Sequence, residues 1–410
     1  MDQTATGKLA IAGGAQTHSG GWPKWPVFDL MEEAAVLRVL RSGQWWSVGG
    51  TEVVTFEREF ADFQHASHAV CVTNGTAALE VSLRALGIGC GDEVIVPPYT
   101  FVATASSVLQ VSATPVFADI CPHNLNLDPD AVEAAITPGT AAIIPVHIAG
   151  CPADMDRLRA IAQRHHLALI EDAAQAHGAE WKGRKVGAIG EMGTFSFQAS
   201  KNLNAGEGGA ILTDQEELAE RCWSVHNVGR VRSGKWYEHQ VLGGNFRMTE
   251  FQAAILRSQI KRLPEQMQQR TRGAAVLNQS LSEIPGIQPL IPEPAVTAHA
   301  YHLYLFRYIS EAFGGHSRDE FVDALSMEGV PCSAGYVPLY REKLFYRKAN
   351  GQGKWCAAGR PVDYTAVQCP VTEAACREIV WLSQNLLLAD ESSLSDVAAA
   401  IHKIQRAWTR

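Results

Sequence analysis

FSFQASKNLNAGEGGAILT, residues 195–213, holds a single lysine, Lys201, between an apolar run and a glycine-rich turn. A lysine on a solvated helix face needs no special account. One set between a strand end and a Gly-rich loop does. FSF and GAILT are short apolar runs of strand type, so Lys201 falls just past the end of a strand. Upstream, five more such runs read as buried strands: HAVCVT (68–73), DEVIVP (92–97), TPVFADI (114–120), AAIIPVH (141–147) and LALIED (167–172). Between them lie stretches of helical spacing: NGTAALEVSLRALG (74–87), TFVATASSVLQ (100–110), DPDAVEAAI (128–136) and ADMDRLRAIAQRHH (153–166). Asp128 is placed to cap the third of these. MEEAAVLRVLR (31–41) and TEVVTFEREFADF (51–63) are two helices that precede the series.

Apolar strands alternating with helices predict an α/β fold with a mostly parallel sheet covered on both faces. Such sheets bind ligands beyond the carboxyl ends of their strands. Thr73 to Thr76, Asp172 and Lys201 all fall on that edge. Residues 1–30, rich in Gly, Pro and Trp, read as an irregular arm, and 31–265 as the large α/β domain. Past 265 the pattern changes. Helical stretches (266–284, 318–329) mix with an isolated strand, YHLYLFRYI (301–309), and predict a smaller α+β domain over 266–410.

Composition narrows the function. The chain has 410 residues, 46% of them apolar, enough for two cores. A formal charge of −8 argues against a nucleic-acid partner held by bulk charge. No apolar run approaches the ~20 residues of a membrane span. The nine cysteines form no CxxC pair. Free thiols in a reducing compartment, the cytoplasm, fit this better than disulfides or zinc, and no metal site is expected.

The three groups on the sheet edge suggest one chemistry. A lysine partly removed from water has a lowered pKa, and its neutral amine attacks an aldehyde to form an imine. An aspartate on a neighbouring strand, about 30 residues earlier, suits a protonated pyridine nitrogen. Together these are what pyridoxal phosphate requires. Its phosphate would find free N–H groups where TNGTAAL opens a helix, with Gly75 allowing close approach and the Thr76 and Ser196 hydroxyls adding donors. PPYTFVAT offers Tyr99 or Phe101 to cover the ring. Each group also has a plainer structural reading: Asn-Gly-Thr as a helix cap, Asp172 as a turn cap, Phe101 as core, Gly-Glu-Gly-Gly as a turn. Arg230, Arg232 and Lys235 form either a solvated basic loop or, with Arg230 foremost, a site for a carboxylate or phosphate. His147 reads as a satisfied strand-end histidine. No strand is followed by GxGxxG, which ranks a dinucleotide-dependent dehydrogenase low.

The chain resembles the DegT/StrS family of pyridoxal-phosphate sugar aminotransferases, of fold-type I. The resemblance rests on FEREFADF, TNGTAALEVSLRALGIGCGDEVIVPPYTFVATA, PVHIAG, IEDAAQAHGA, GTFSFQASKNLNAGEGGAI and GGNFRMTEFQAAI. It implies that Lys201 carries the cofactor, Asp172 meets the ring nitrogen and Gln175 lies near the phenolic oxygen. It further implies that Phe101 stacks on the ring and that Gly75, Thr76 and Ser196 contact the phosphate. Asn245 then reaches the phosphate of a neighbouring subunit, which implies a homodimer with active sites at its interface. GQWWSVGG (43–50) and QCPVTEAACREIVWLSQNLLLA (368–389) resemble 3-amino-5-hydroxybenzoate synthases, and the second also scyllo-inosose aminotransferases. This branch implies a keto-sugar or keto-cyclitol as acceptor and glutamine or glutamate as donor. Gln175 favours an aminotransferase over the benzoate synthases, which tend to carry histidine there. Trp45 and Trp46 are expected either in the pocket wall or at a packing seam. The rival readings are a lyase that dehydrates and aromatises its substrate with the same cofactor and, more distantly, a cofactor-binding regulator without turnover.

Overall fold

The computed structural model describes residues 8–346 and 363–409, so Cys356 and the first seven residues of the arm lie outside the described residues. The first part of the chain runs α1 (Leu30–Ser42), α2 (Glu52–Gln64), β1 (His68–Val72), α3 (Gly75–Ala85), β2 (Glu93–Val96), α4 (Ala103–Gln110), β3 (Thr114–Phe117), α5 (Pro129–Ala135), β4 (Thr140–Ile143), α6 (Met155–His165) and β5 (Ala168–Asp172). The short strands β6 (Glu180–Trp181) and β7 (Arg184–Lys185) precede β8 (Met192–Ser196), β9 (Gly209–Thr213) and α7 (Glu216–His226).

Seven of these strands form one sheet in the order β1-β9-β8-β5-β4-β2-β3. β3, β2, β4, β5 and β8 run parallel, and β9 is antiparallel to both its neighbours, β8 and β1. The sequence pattern explains why both faces are covered. Alternate residues of each apolar strand enter opposite cores. Cys71, Ile95, Leu169 and Phe195 pack with Phe56 and Phe60 of α2, Leu158 of α6 and Leu256. Val70, Val94, Ile170 and Met192 pack with Leu79 and Leu83 of α3, Val108 of α4 and Leu218 of α7.

Leu256 belongs to α8 (Glu250–Ser282), an uninterrupted helix of 33 residues. Its first half packs on the large sheet through Leu256 and Leu263, its second on another core through Ala274, Leu277 and Leu281. The position expected for the domain boundary, 265/266, lies within this helix beside Pro264. Beyond it come β10 (Ile287–Pro289), β11 (Val296–Ala298), β12 (Leu303–Tyr308), α9 (Arg318–Met327), β13 (Cys332–Ser333), α10 (Lys343–Tyr346), α11 (Pro370–Glu378), β14 (Ile379–Ser383) and α12 (Glu391–Trp408). The second sheet, β10-β12-β14-β13, is antiparallel throughout. The arm is irregular apart from one 3-10 turn at Ala10–Ala12. It is tied to the second core by Leu9 and by Trp22 Nε1, which donates to Gly329 O at 2.7 Å. No helix among the described residues is long and apolar enough to cross a membrane.

Candidate active site

A cavity of about 890 Å³ opens at the carboxyl ends of the parallel strands. Thr73 to Thr76, Phe101, Asp172, Gln175, Ser196 and Lys201 all line it. Residues from the second sheet and its loops close the far side, among them His302, Tyr336, Trp381 and Gln384, and the arm contributes Trp25.

Each sheet-edge group is held by its local structure. α3 begins directly after β1, and Asn74 Oδ1 accepts from Ala77 N at 2.8 Å as its cap. The cap takes one of the helix's free N–H groups and leaves the amides of the first turn at the cavity. Gly75 is required there: a Cβ at this position would lie 2.8 Å from Ser196 Cβ. The same contact brings the Ser196 hydroxyl against the helix N-terminus.

Asp172 ends β5 and is buried. Its Oδ2 accepts from Thr104 Oγ1 at 2.8 Å and its Oδ1 from Ala174 N at 3.2 Å, so the carboxylate caps its own turn as well as facing the cavity. Burial pushes its pKa up, against the pull of Thr104, Ala174, Lys201 and His147. Lys201 lies in the connection from β8 to β9, and β8 is the parallel neighbour of β5. Lys201 N donates to Gln198 O at 2.8 Å and its carbonyl accepts from Asn204 Nδ2, which fixes the turn. Burial lowers the amine to about 8, and the Asp172 carboxylate works in the opposite sense. A neutral amine is therefore accessible near neutral pH.

Gln175 is clamped at both ends: its Oε1 accepts from Ala149 N at 2.7 Å and its Nε2 donates to Tyr336 OH at 3.1 Å. Of the two candidate aromatics, Phe101 lines the cavity and is 58% exposed, so it is not core. Tyr99 is buried, with Trp381 Nε1 donating to its hydroxyl at 3.0 Å. His147 Nδ1 accepts from Ala153 N, so Nε2 carries the proton and donates to Glu171 Oε2 at 3.0 Å. Both ring nitrogens are thus occupied away from the cavity.

Four sequence candidates lie outside the cavity in this chain. Asn245 is exposed and bridges Asn227 through its backbone. Trp45 and Trp46 are exposed, Trp46 meeting Trp236 edge-on at 5.7 Å and Trp45 meeting Phe251 at 5.9 Å. Arg230 stacks over Trp236 at 4.2 Å and donates to its carbonyl. Sequence reasoning missed Thr104, Tyr336, Trp25 and Gln384. Thr104 had a usable signal, since it opens a helix one turn after Thr100 beside the strand ends. The others reach the cavity through contacts between distant segments.

The buried acid, the amine of lowered pKa and the glycine-lined helix start fit a pyridine cofactor with an aldehyde and a phosphate. Comparison with known proteins agrees. The DegT/DnrJ/EryC1/StrS aminotransferase family matches residues 29–402. A protein of Streptoalloteichus tenebrarius named L-glutamine:2-deoxy-scyllo-inosose aminotransferase is 41% identical over 417 residues, covering 97% of each chain. The 3-amino-5-hydroxybenzoate synthase of Amycolatopsis mediterranei is 39% identical over 382 residues, covering 93% of this chain and 96% of the synthase. The crystal structure of a 3-amino-5-hydroxybenzoic acid synthase superimposes with a TM-score of 0.86 at 39% identity, covering 95% of this chain and 99% of that one. With fold, cavity and sequence in agreement over nearly its whole length, the chain belongs to the DegT/DnrJ/EryC1/StrS aminotransferase family, and its cofactor is pyridoxal 5'-phosphate.

Proposed function

We propose that this chain transfers the amino group of L-glutamine to a keto-cyclitol or keto-sugar in aminocyclitol antibiotic biosynthesis. The observation that carries the reading is the pairing of Lys201, its amine lowered to about 8, with buried Asp172 in one cavity. Bound there, pyridoxal phosphate supplies an aldehyde that takes up the amino group and a ring that spreads the charge left on the donor's α-carbon. The amides of Gly75 and Thr76, with the Thr76 and Ser196 hydroxyls, hold the phosphate. Asp172 keeps the ring nitrogen protonated, and a cation there relieves the burial that raises its own pKa. Gln175 and Phe101, both on the cavity wall, would help hold the cofactor, Gln175 by a hydrogen bond to its phenolic oxygen and Phe101 by stacking on its ring. Lys201 Nζ first holds the cofactor. With the donor bound, the same nitrogen would take the proton from the donor's α-carbon and later deliver one to the carbon that accepts the amine.

The reading includes a homodimer in the cytoplasm. Trp45 pairs with Phe251 and Trp46 with Trp236, Arg247 lies 5.4 Å over the Trp46 ring, and exposed Asn245 lies two residues from Arg247. A second copy of the chain set on these exposed aromatics would bring Asn245 to its phosphate and Arg230 to its substrate. Cys71, Cys121, Cys151, Cys222, Cys332, Cys369 and Cys376 are free thiols, which suits a reducing compartment. Cofactor-loaded protein given amide- and amine-labelled forms of L-glutamine in turn, with 2-deoxy-scyllo-inosose, is the test. Amine label in an aminocyclitol supports the reading, and an unaltered ketone contradicts it. Similarity to the benzoate synthase favours one second reading, loss of water from an amino-keto-cyclohexene carboxylate. Its aromatic product would be seen by ultraviolet absorption with no donor present.

A further inference from the structure

An arginine is buried behind the cavity wall with no carboxylate paired to it among the described residues. Arg270, on α8, is fully buried, and burial lowers its guanidinium to about 9. Its Nε and Nη2 both donate to Gln384 Oε1, at 2.9 and 2.7 Å. Its Nη1 has no hydrogen-bond partner among the described residues, and the guanidinium lies 5.0 Å from the Trp25 ring centroid. A buried cation left in this state is costly unless something neutralises it. A glutamate at 384 would have made the same tie between helix and loop and removed the charge as well. A neutral amide stands there instead.

The geometry sets which end of that amide faces which way. Arginine has only N–H donors, so the atom that accepts both is the amide oxygen. Gln384 Nε2 is thereby turned from Arg270, and no described residue accepts from it. Gln384 lines the cavity, as does Trp25. Trp25 Nε1 is a further buried donor without an acceptor among the described residues. Asn385 Nδ2 donates to Pro23 O at 2.6 Å, which pins the arm carrying Trp25 to the same loop. Gln384 Nε2 and Trp25 Nε1 are thus two donors without an acceptor among the described residues, backed by a cation that no described carboxylate pairs.

We propose that the corner formed by Gln384, Trp25 and Arg270 is a carboxylate subsite. Gln384 Nε2 donates to a carboxylate oxygen of the substrate, and Arg270 is a positioning residue that orients the amide and supplies positive potential. This deepens the aminotransferase reading and rests on it, because an amino-acid donor carries such a carboxylate. A carboxylated ring ketone carries one too, and the test separates the two sources.

The experiment is calorimetric titration of the cofactor-loaded protein with glutaramate, the L-glutamine skeleton without its amino group, and with neutral glutaramide. A parallel arm uses cyclohex-1-ene-1-carboxylate and its carboxamide. None of these probes carries a transferable amine, so binding is read apart from turnover. The proposal expects glutaramate to bind at least about tenfold tighter than glutaramide, as a charge-assisted hydrogen bond implies. Gln384→Glu, whose new carboxylate pairs with Arg270, should erase that preference, and so should Gln384→Met, which keeps the volume. A Gln384-dependent preference in the glutaramate pair assigns the subsite to the donor, and one in the ring pair alone assigns it to the ketone. No charge preference in either pair, or one that survives both variants, overturns the proposal. Amino transfer without any such preference would leave the functional reading standing and remove the subsite. A preference without amino transfer would do the reverse.

Discussion

The amine of Lys201 should titrate far below an ordinary lysine. Burial brings it from 10.5 to about 8. At pH 7.5 about one quarter of such amines are neutral, against about one in a thousand at an ordinary lysine, a reactivity ratio of roughly 200. The assay is competitive labelling of cofactor-stripped protein with a limiting amine reagent across pH, with the modified peptides quantified by mass spectrometry. Surface lysines in the same sample serve as the reference. Lys201 should label with an inflection near 8. Asp172→Asn removes the charge that raises this amine, so its inflection should move lower still. The folded chain releases this proton more readily than the unfolded one. The full penalty, about 3 kcal/mol, therefore applies below pH 8 and is relieved as pH rises from about 8 to 10.5. Lys201 labelling in step with the surface lysines, with an inflection above 10, would refute the reasoning.

Further predictions concern the groups that build the site. Glu171 accepts from the backbone N–H groups of Gly187, Ile189 and Gly190, each at 2.7 Å, and from His147. Glu171→Ala strands these donors and should cost about 3–5 kcal/mol in urea unfolding; a loss under 1 kcal/mol would argue against that network. Gly75→Ala should weaken cofactor binding, and Ser196→Ala should not restore it, because the clash is with Ser196 Cβ. Only Ser196→Gly relieves the contact, so equilibrium dialysis of the three variants checks the geometry. Thr104→Val removes a hydroxyl from Asp172 and should reduce cofactor affinity about tenfold, the worth of one hydrogen bond to a charged group. Trp46→Glu should shift the protein to monomer in analytical ultracentrifugation and weaken cofactor binding with it. A variant that stays dimeric would place the subunit contact elsewhere.

What could be read from the sequence follows from the range of the interactions involved. The strands of the large sheet are continuous apolar runs because both of their faces are buried, so period and composition sufficed to find them. Asp172 and Lys201 were legible because a strand end fixes where the next side chain points, and both strands run the same way. The antiparallel direction of β9 was not legible, since GAILT reads alike in either direction. The end of the large domain was blurred because α8 carries one helical pattern through two cores and past Pro264. Tyr336, Trp25 and Gln384 were missed for a different reason. They come from three separate segments, and only packing brings them to the cavity. Residues 368–389 had stood out by resemblance alone; the structure gives Gln384 within them a partner, Arg270, more than a hundred residues away.

The most direct measurement is chemical. Protein loaded with pyridoxal phosphate is reduced with borohydride, digested, and searched for the peptide that carries the pyridoxyl group. The account predicts the group on Lys201 alone. It also predicts that incubation with L-glutamine before reduction abolishes the label, because the donor releases the cofactor from the lysine. A label on another lysine, or one on Lys201 that L-glutamine leaves untouched, would contradict it.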